Sequence, residues 1–441
     1  YRRQDSASIE GGGNNAKAGN SALIDTLAEV LSEGGRCAIY PEGISHLMSK
    51  PQKTKTGPAR IILQAIREAD NSGIQRPALV PVGLHYSDAN RFRERALVTV
   101  HPPMNLPPLP GEKGAPAASK ELLAEFSPEV AADRAWVQAV TNALSTELQR
   151  TSQGLDSWED KKLLWRARGL LSVHRNRATG RKKRASYAEA VVGARRARAA
   201  WLWISDNDPE RAAKLKSGVS EHAEKMESYN LKEYELYDRE KTPGPLDLFK
   251  AVGQIIWSWI WMAGLITWGA MLGSWPPYRL SGPIAERLSL KEKHALGTHK
   301  IAVGFMLLPV WWFIVSFPVA FLLAAPASPL WNLNLYGLLP LIKPYLMQIN
   351  WILLAFILMP LWSVAARLHL RLWRRSMRAL ATLKRWLRLR RDEVPWDELA
   401  AEQLVLAKEL DEIGRSLILP GDKEWTPPAT GKDDYECVEL R

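Results

Sequence analysis

Arg36-Cys37-Ala38-Ile39-Tyr40-Pro41-Glu42-Gly43-Ile44-Ser45-His46 is the stretch from which the fold of this chain is read. Its first five residues have the composition of a short buried strand. Pro41 then fixes a turn, Glu42 places a carboxylate on it, and Gly43 lets backbone approach a ligand closely. A turn at the carboxyl end of a strand is where ligands sit in α/β sheets. Glu42 is suited to accept a hydrogen bond from a polyol hydroxyl. Ser45 adds a small donor and acceptor, and His46 a base or a donor to phosphate. The plainer alternative is an exposed Glu on an ordinary strand-to-loop turn.

Working outward, Asn20 to Ser32 reads as a helix with Leu23, Leu27, Val30 and Leu31 on one face, ended by Gly34 and Gly35. Pro58 to Ala69 reads as a second helix carrying Ile61, Ile62, Ala65 and Ile66. Ala78 to Leu84 is a near-continuous apolar run, the pattern of a buried parallel strand, and Ala96 to His101 is a further strand. Helices and strands at these intervals predict an α/β domain over residues 1–110, a mixed sheet with covering helices. Lys50, Lys53, Lys55 and Arg60 follow the turn, and Arg2 and Arg3 stand at the start. Converging cations suit a phosphate, and a helix opening at Gly57 adds its N-terminus to an anion site. Solvated surface charge is the alternative. Val80-Pro81-Val82-Gly83-Leu84 has no catalytic side chain, so Val82 and Gly83 are expected to line an acyl or acceptor pocket. His85 beside them reads as structural.

Pro102 to Pro110 holds five prolines and reads as a rigid connection. Residues 111–247 are charged and mostly helical, with a basic cluster from His174 to Arg184. That cluster is either a solvated linker or a contact for anionic lipid headgroups. Residues 248–366 change character. Leu248 to Trp275 has no charge except Lys250, Ile301 to Ala325 is 25 residues without charge, and Leu333 to Ala366 contains only Lys343. A bilayer takes about 20 residues to cross, so two to four membrane segments are expected. The alternative, buried helices of a soluble protein, needs a very large core. Residues 367–441 are read as a basic juxtamembrane helix and a charged, peripheral tail. Arg367 to Arg391 is dense in Arg and Lys, which the positive-inside tendency places in the cytoplasm.

The 441 residues carry a net charge of +12, 19 Trp and two cysteines. Trp favours membrane–water interfaces. Two cysteines, Cys37 and Cys437, give no metal-ligand spacing, and no metal is expected. The basic residues flank apolar runs without a recognisable nucleic-acid module, so no nucleic-acid partner is expected.

Tyr40-Pro41-Glu42-Gly43-Ile44-Ser45 and Val80-Pro81-Val82-Gly83 resemble two motif blocks of the glycerol-phosphate acyltransferase superfamily, which includes the lysophosphatidate acyltransferases. Tyr1-Arg2-Arg3-Gln4-Asp5 resembles the end of another block, with Arg2 as its substrate-binding arginine. Lys55-Thr56-Gly57-Pro58-Ala59-Arg60 extends the likeness. The resemblance implies transfer of a fatty acyl group from acyl-CoA or acyl carrier protein to glycerol-3-phosphate or 1-acylglycerol-3-phosphate, with no cofactor. It implies that Arg2, Glu42, Gly43, Ser45, Val82 and Gly83 bind substrate, with Arg3, His46, Lys55 and Arg60 in support. It also implies a catalytic His-x4-Asp pair, which is expected upstream of Tyr1 in a longer protein. Neither His46 nor His85 takes that role. The expected setting is an integral membrane protein contacting membrane lipids, its acyltransferase domain facing the cytoplasm, in the inner membrane if the source is bacterial. Two other readings are a non-catalytic lipid-binding relative, and a transporter or scaffold with an α/β regulatory domain.

Overall fold

The computed structural model describes residues 13–44, 46, 48–87, 95–181, 185–237, 244–289, 296–324, 344–345, 348–388 and 394–441. These divide into two compact units. The first takes the described residues up to Leu236 together with Trp396–Arg441, and the second takes Tyr237–Pro395.

The first unit is helical. Its elements begin with α1 (Gly13–Ser32), α2 (Gly57–Asn71), a hairpin of β1 (Val82–Tyr86) and β2 (Ala96–Val100), and α3 (Lys120–Glu125). There follow α4 (Pro128–Ser152), α5 (Trp158–Ala178), α6 (Tyr187–Asn207), α7 (Pro209–Ser228) and α8 (Glu233–Tyr237). Helix α2 shows why these segments fold as they do. Pro58 sits in its first turn, where a missing N–H costs nothing. Ile62, Leu63 and Ile66 then recur on one face and are buried against Trp136 and Val140 of α4. The proline-rich connection closes over this core, with Trp136 Nε1 donating to Pro107 O at 3.2 Å. Helix α6 opens on a capping box: Ser186 Oγ accepts from Glu189 N at 3.2 Å, and Glu189 accepts from Ser186 N at 2.7 Å.

The expected mixed α/β sheet is not what this sequence builds. Residues 35–40 form no strand, Tyr40 is 77 % exposed, and Cys37 is exposed rather than buried. β1 pairs only with β2, antiparallel, from Val82 opposite Val100 to Tyr86 opposite Ala96. The apolar run through Leu84 suggested a strand covered on both faces. In the hairpin, Gly83 and His85 face inward, while Val82, Leu84 and Tyr86 stand exposed on the other side. A strand with one covered face and one neighbour forms a ribbon, not the centre of a parallel sheet.

Helix α13 (Trp396–Ser416) belongs to the first unit but follows, in sequence, four helices of the second. These are α9 (Pro245–Ala263), α10 (Leu265–Leu288), α11 (Leu296–Ala324) and α12 (Trp351–Arg388). Helices α11 and α12 are each long and apolar enough to cross a membrane. Helices α9 and α10 pass the same test only as a pair bent by 67° at Gly264. Phe249, Ile301, Phe305 and Met306 are more than 70 % exposed. An apolar surface of this extent is stable in lipid, not in water, so the unit associates with membrane. The expected third region falls partly outside the described residues. Its described part opens α12, which runs unbroken from apolar Trp351 into the basic stretch ending at Arg388.

Helix α10 carries adjacent prolines at 276 and 277 without ending. Neither has an N–H to give to the carbonyl four residues back, at Leu272 and Gly273. Two adjacent indoles of α11 supply those bonds. Trp311 Nε1 donates to Leu272 O and Trp312 Nε1 to Gly273 O, both at 2.8 Å. In lipid an unpaired carbonyl costs several kcal/mol, so these indoles hold α10 and α11 together. Trp312→Phe is expected to lower thermal stability in detergent clearly. In a Pro277→Ala background, where the helix donates its own N–H, the same change is expected to cost much less. Equal losses in both backgrounds would show that the indole matters only by its bulk.

The chain closes with α13, β3 (Leu417–Ile418), a 3-10 turn at Asp434–Cys437 and β4 (Glu439–Leu440), which pairs with β3. These last residues are embedded in the first unit, not peripheral. Leu417, Leu419 and Val438 join Ala199, Ile204 and Leu215 in a core that Trp201, Trp203 and Trp425 flank. Asp433 and Asp434 are buried there.

Candidate functional site

Tyr40 to Gly43 forms a turn in which Gly43 N donates to Tyr40 O at 3.1 Å, and Gly43 has φ +67°, a conformation that glycine adopts without strain. The Glu42 carboxylate is held through one oxygen. Oε2 accepts the Gln52 backbone N–H at 2.6 Å and also the His46 Nε2. The His46 ring is oriented from its other side, because Met48 N donates to Nδ1 at 3.0 Å. A nitrogen accepting from an amide carries no proton, so the neutral ring has its proton on Nε2 and gives it to Glu42. Oε1 of Glu42 takes no hydrogen bond from the described residues.

The loop after the turn is anchored at several points. Lys55 N donates to Pro41 O at 2.7 Å, which brings the start of α2 against the turn. No side chain caps α2 at Thr56. Ser49 Oγ donates to Leu155 O at 2.7 Å and Thr54 Oγ1 to Thr141 O at 3.1 Å. Lys50 pairs with an exposed Asp156, a contact that contributes little. Lys161, on the first turn of α5, donates to Ser49 O at 3.3 Å and Ser152 O at 3.2 Å. Burial, with a contribution from the Arg198 charge, lowers its pKa from 10.5 to about 8.

Of the residues singled out in the sequence, Glu42, Gly43 and His46 come together, and Lys55 lies beside them through its backbone. Arg60 is one turn into α2 with its side chain exposed. Arg2, Arg3 and Ser45 lie outside the described residues. Val82 and Gly83 are in β1. A Cβ on Gly83 would fall 2.6 Å from Thr99 Oγ1 and 2.9 Å from Thr151 O, so only glycine fits there. His85 hydrogen-bonds Thr99 Oγ1 at 3.1 Å, and burial followed by the Lys161 charge lowers its pKa. His85 packs on the covered side of the hairpin, and the Lys161 charge that acts on it belongs to the residue that also holds the anchored loop.

Sequence reading missed the ionic group behind the site. Arg198 is bidentate to Asp433 at 2.7 and 2.8 Å and donates to Gly154 O at 2.8 Å. Arg195 is bidentate to Asp434 at 2.6 and 2.8 Å. Two arginines three apart on α6 and two adjacent aspartates were the available signal, but more than 230 positions separate them. His101 lies within the field of this group. Burial, then Arg195 and Arg150, lower its pKa from 6.5 to about 4 against the opposing charge of Asp434.

The folded chain therefore disfavours the charged form of His101, and the unfolded chain binds its proton more readily. Stability from this group is complete above pH 6.5 and falls as the pH drops toward about 4. His101→Gln is expected to flatten that part of the melting temperature's pH dependence. An unchanged slope would place the acid sensitivity elsewhere.

Among known proteins, the chain is similar to an uncharacterized acyltransferase of Schizosaccharomyces pombe, 32% identical over 77 residues. The match takes in 18% of this chain and 11% of that protein. No family model and no solved structure matches. Among the described residues no group of His, Cys, Asp and Glu is arranged to hold a metal ion.

Proposed function

We propose that the protein is a membrane acyltransferase that moves a fatty acyl group from an acyl-CoA or acyl carrier protein thioester to glycerol-3-phosphate or 1-acylglycerol-3-phosphate. The observation that carries this reading is the Glu42 turn. One carboxylate oxygen is fixed by Gln52 N–H and His46, and the other is left for an acceptor hydroxyl. The uncapped start of α2 beside the turn, with Lys55, suits the acceptor phosphate. Partial similarity to a protein named as an acyltransferase supports the reaction class, and the apolar helices support a reaction at the membrane.

In this reaction the acceptor oxygen attacks the thioester carbonyl, and a C–O bond forms. The tetrahedral intermediate collapses with cleavage of C–S, and the hydroxyl proton passes through a base to the leaving thiolate. Both nitrogens of His46 are occupied by Glu42 and Met48 N–H, which argues against it as that base. No His in the sequence has Asp five positions on. A general base in this reaction is worth roughly 10²–10⁴-fold in rate, and none of the eight histidines is assigned to it. Arg2, Ser45, Val82 and Gly83 complete the proposed substrate contacts. The acyltransferase unit is proposed to face the cytoplasm, where the donor thioesters are.

The test supplies labelled acyl-CoA to membranes holding the full natural protein, and offers the two acceptors separately. Labelled lysophosphatidate or phosphatidate is the expected product. Well-folded protein that makes neither from acyl-CoA or acyl carrier protein would overturn the reading.

A further inference from the structure

Helices α5, α6, α7 and α13 of the first unit enclose a cavity of about 620 Å³ that is separate from the Glu42 turn. Its size is that of a small-molecule site. Small residues open it: Ala167, Gly193, Ala197 and Gly414 stand where larger side chains would close the helices on one another. Leu163, Leu171, Val192, Leu215, Val219 and Leu410 give it apolar walls.

The charged residues in its lining are nearly all neutralised in place. Arg175 pairs with Asp411 and Arg181 with Glu189, each at 2.7 Å. Arg196 pairs with Asp422 at 2.8 Å and Lys216 with Asp160 at 2.7 Å. Arg168 is the exception. No ion pair among the described residues includes it, and its half-buried side chain lines the cavity. Its stem lies across Gly193, where a Cβ would come within 3.4 Å of it, and its guanidinium sits 5.2 Å from the Trp165 ring centre. Burial lowers the Arg168 pKa, with the Glu233 charge opposing, and Glu233 itself is hydrogen-bonded to Arg166 at 3.1 Å. A partly desolvated guanidinium without a carboxylate partner is favourably placed for an anion that supplies the acceptor.

We infer that this cavity binds a single-chain anionic amphiphile, its acyl chain between α5, α6 and α13 and its carboxylate or phosphate on Arg168. An uncharged lipid leaves the Arg168 donor unpaired, and a small anion leaves the apolar walls wet. The inference stands apart from the acyl-transfer reading, since it concerns other residues and is read by binding.

The test uses the full chain in phosphatidylcholine nanodiscs. Three diazirine-bearing probes are offered: a palmitate, a 1-acylglycerol-3-phosphate and an uncharged monoacylglycerol. Adducts are mapped by mass spectrometry and competed with unlabelled lipid. The two anionic probes distinguish a fatty acid from a phosphate ester by which saturates at lower concentration. Saturable adducts within residues 163–171 and 192–204 are expected from at least one anionic probe. Ala197→Phe is expected to remove these adducts while leaving those on α9 to α12. Arg168→Gln is expected to weaken the anionic competitor about ten- to a hundredfold, the worth of a charge-assisted hydrogen bond, and to leave the uncharged probe unaffected. Helix content by circular dichroism checks both variants, and Arg168→Gln decides if Ala197→Phe does not fold. Adducts confined to α9 to α12, adducts unchanged in a folded variant, or equal labelling by the uncharged probe would overturn the inference.

Discussion

Glu42→Gln is expected to lower kcat/KM for acyl transfer about a hundredfold or more in the membrane-embedded full protein, with the melting temperature little changed. The substitution keeps size and shape but replaces an acceptor oxygen by a donor. If the amide oxygen takes the place of Oε2, it keeps both the Gln52 N–H and the His46 Nε2–H, and the NH₂ stands where Oε1 stood, a donor facing the proposed acceptor hydroxyl. If the amide turns the other way, the NH₂ faces both of those donors, and His46 cannot move its proton to Nδ1 without losing the 3.0 Å bond from Met48 N. The first orientation keeps the turn, yet the acceptor hydroxyl is no longer held, and misplacing a reacting group by about 1 Å costs on the order of 10²-fold. The accepting oxygen proposed at Oε1 is lost, so the KM for the glycerol-phosphate acceptor should rise while that for the acyl donor stays level. Wild-type turnover in the folded variant would sink the assignment of Glu42.

Asp433→Ala is expected to destabilise the first unit by about 3–5 kcal/mol, the usual cost of breaking a buried ion pair from one side. The side chains of Arg198 and Asp433 are only 5 % and 7 % exposed. Removing the carboxylate leaves the guanidinium with Gly154 O and no counter-charge. The loss should reach the site. Gly154 packs so closely on the loop that a Cβ there would fall 3.0 Å from Lys50 Cβ and 3.1 Å from Pro51 Cδ. Loosening Arg198 therefore loosens the backbone that backs the loop carrying Ser49 and Lys50. Transfer activity should fall along with the melting temperature. Replacing both partners by apolar residues, Arg198→Met with Asp433→Leu, should recover much of the stability. Melting within a degree or two of wild type for Asp433→Ala alone would show that water already serves Arg198.

The two best-read parts of the sequence were those governed by local chemistry. Helix α2 was legible from Pro58 and the spacing of Ile61, Ile62, Ala65 and Ile66, and the structure places it at Gly57–Asn71. Ile301 to Ala325 was legible as a membrane-length run, and α11 spans Leu296–Ala324. Strand assignment failed because it depends on neighbours. Arg36 to Tyr40 has strand composition, yet a strand exists only where another segment completes its ladder, and the sequence does not say which segment arrives. The apolar run to Leu84 misled for the same reason, since Gly83 and His85, not the valines, face inward. At the site, the turn chemistry of Pro41, Glu42 and Gly43 was local and readable. Its supports were not, because Lys161, Arg198 and Asp433 reach it across long stretches of chain. The unpaired Arg168 was invisible for a further reason. One arginine in a charged helix looks like its neighbours until their partners are known.

The paired prolines of α10 bear on how the protein is made. During synthesis α10 precedes α11, and until the second helix arrives Leu272 and Gly273 present two carbonyls that α10 cannot satisfy from within. A nascent α10 is thus a poor guest for hydrocarbon and is better kept at the bilayer surface or in a wet channel. Arrival of Trp311 and Trp312 makes it a fit one, so the two helices are expected to enter lipid as a unit. A chain stopped after Leu288 should leave α10 reachable by water-soluble thiol reagents at an introduced cysteine, and a chain continued through Ala324 should shield it.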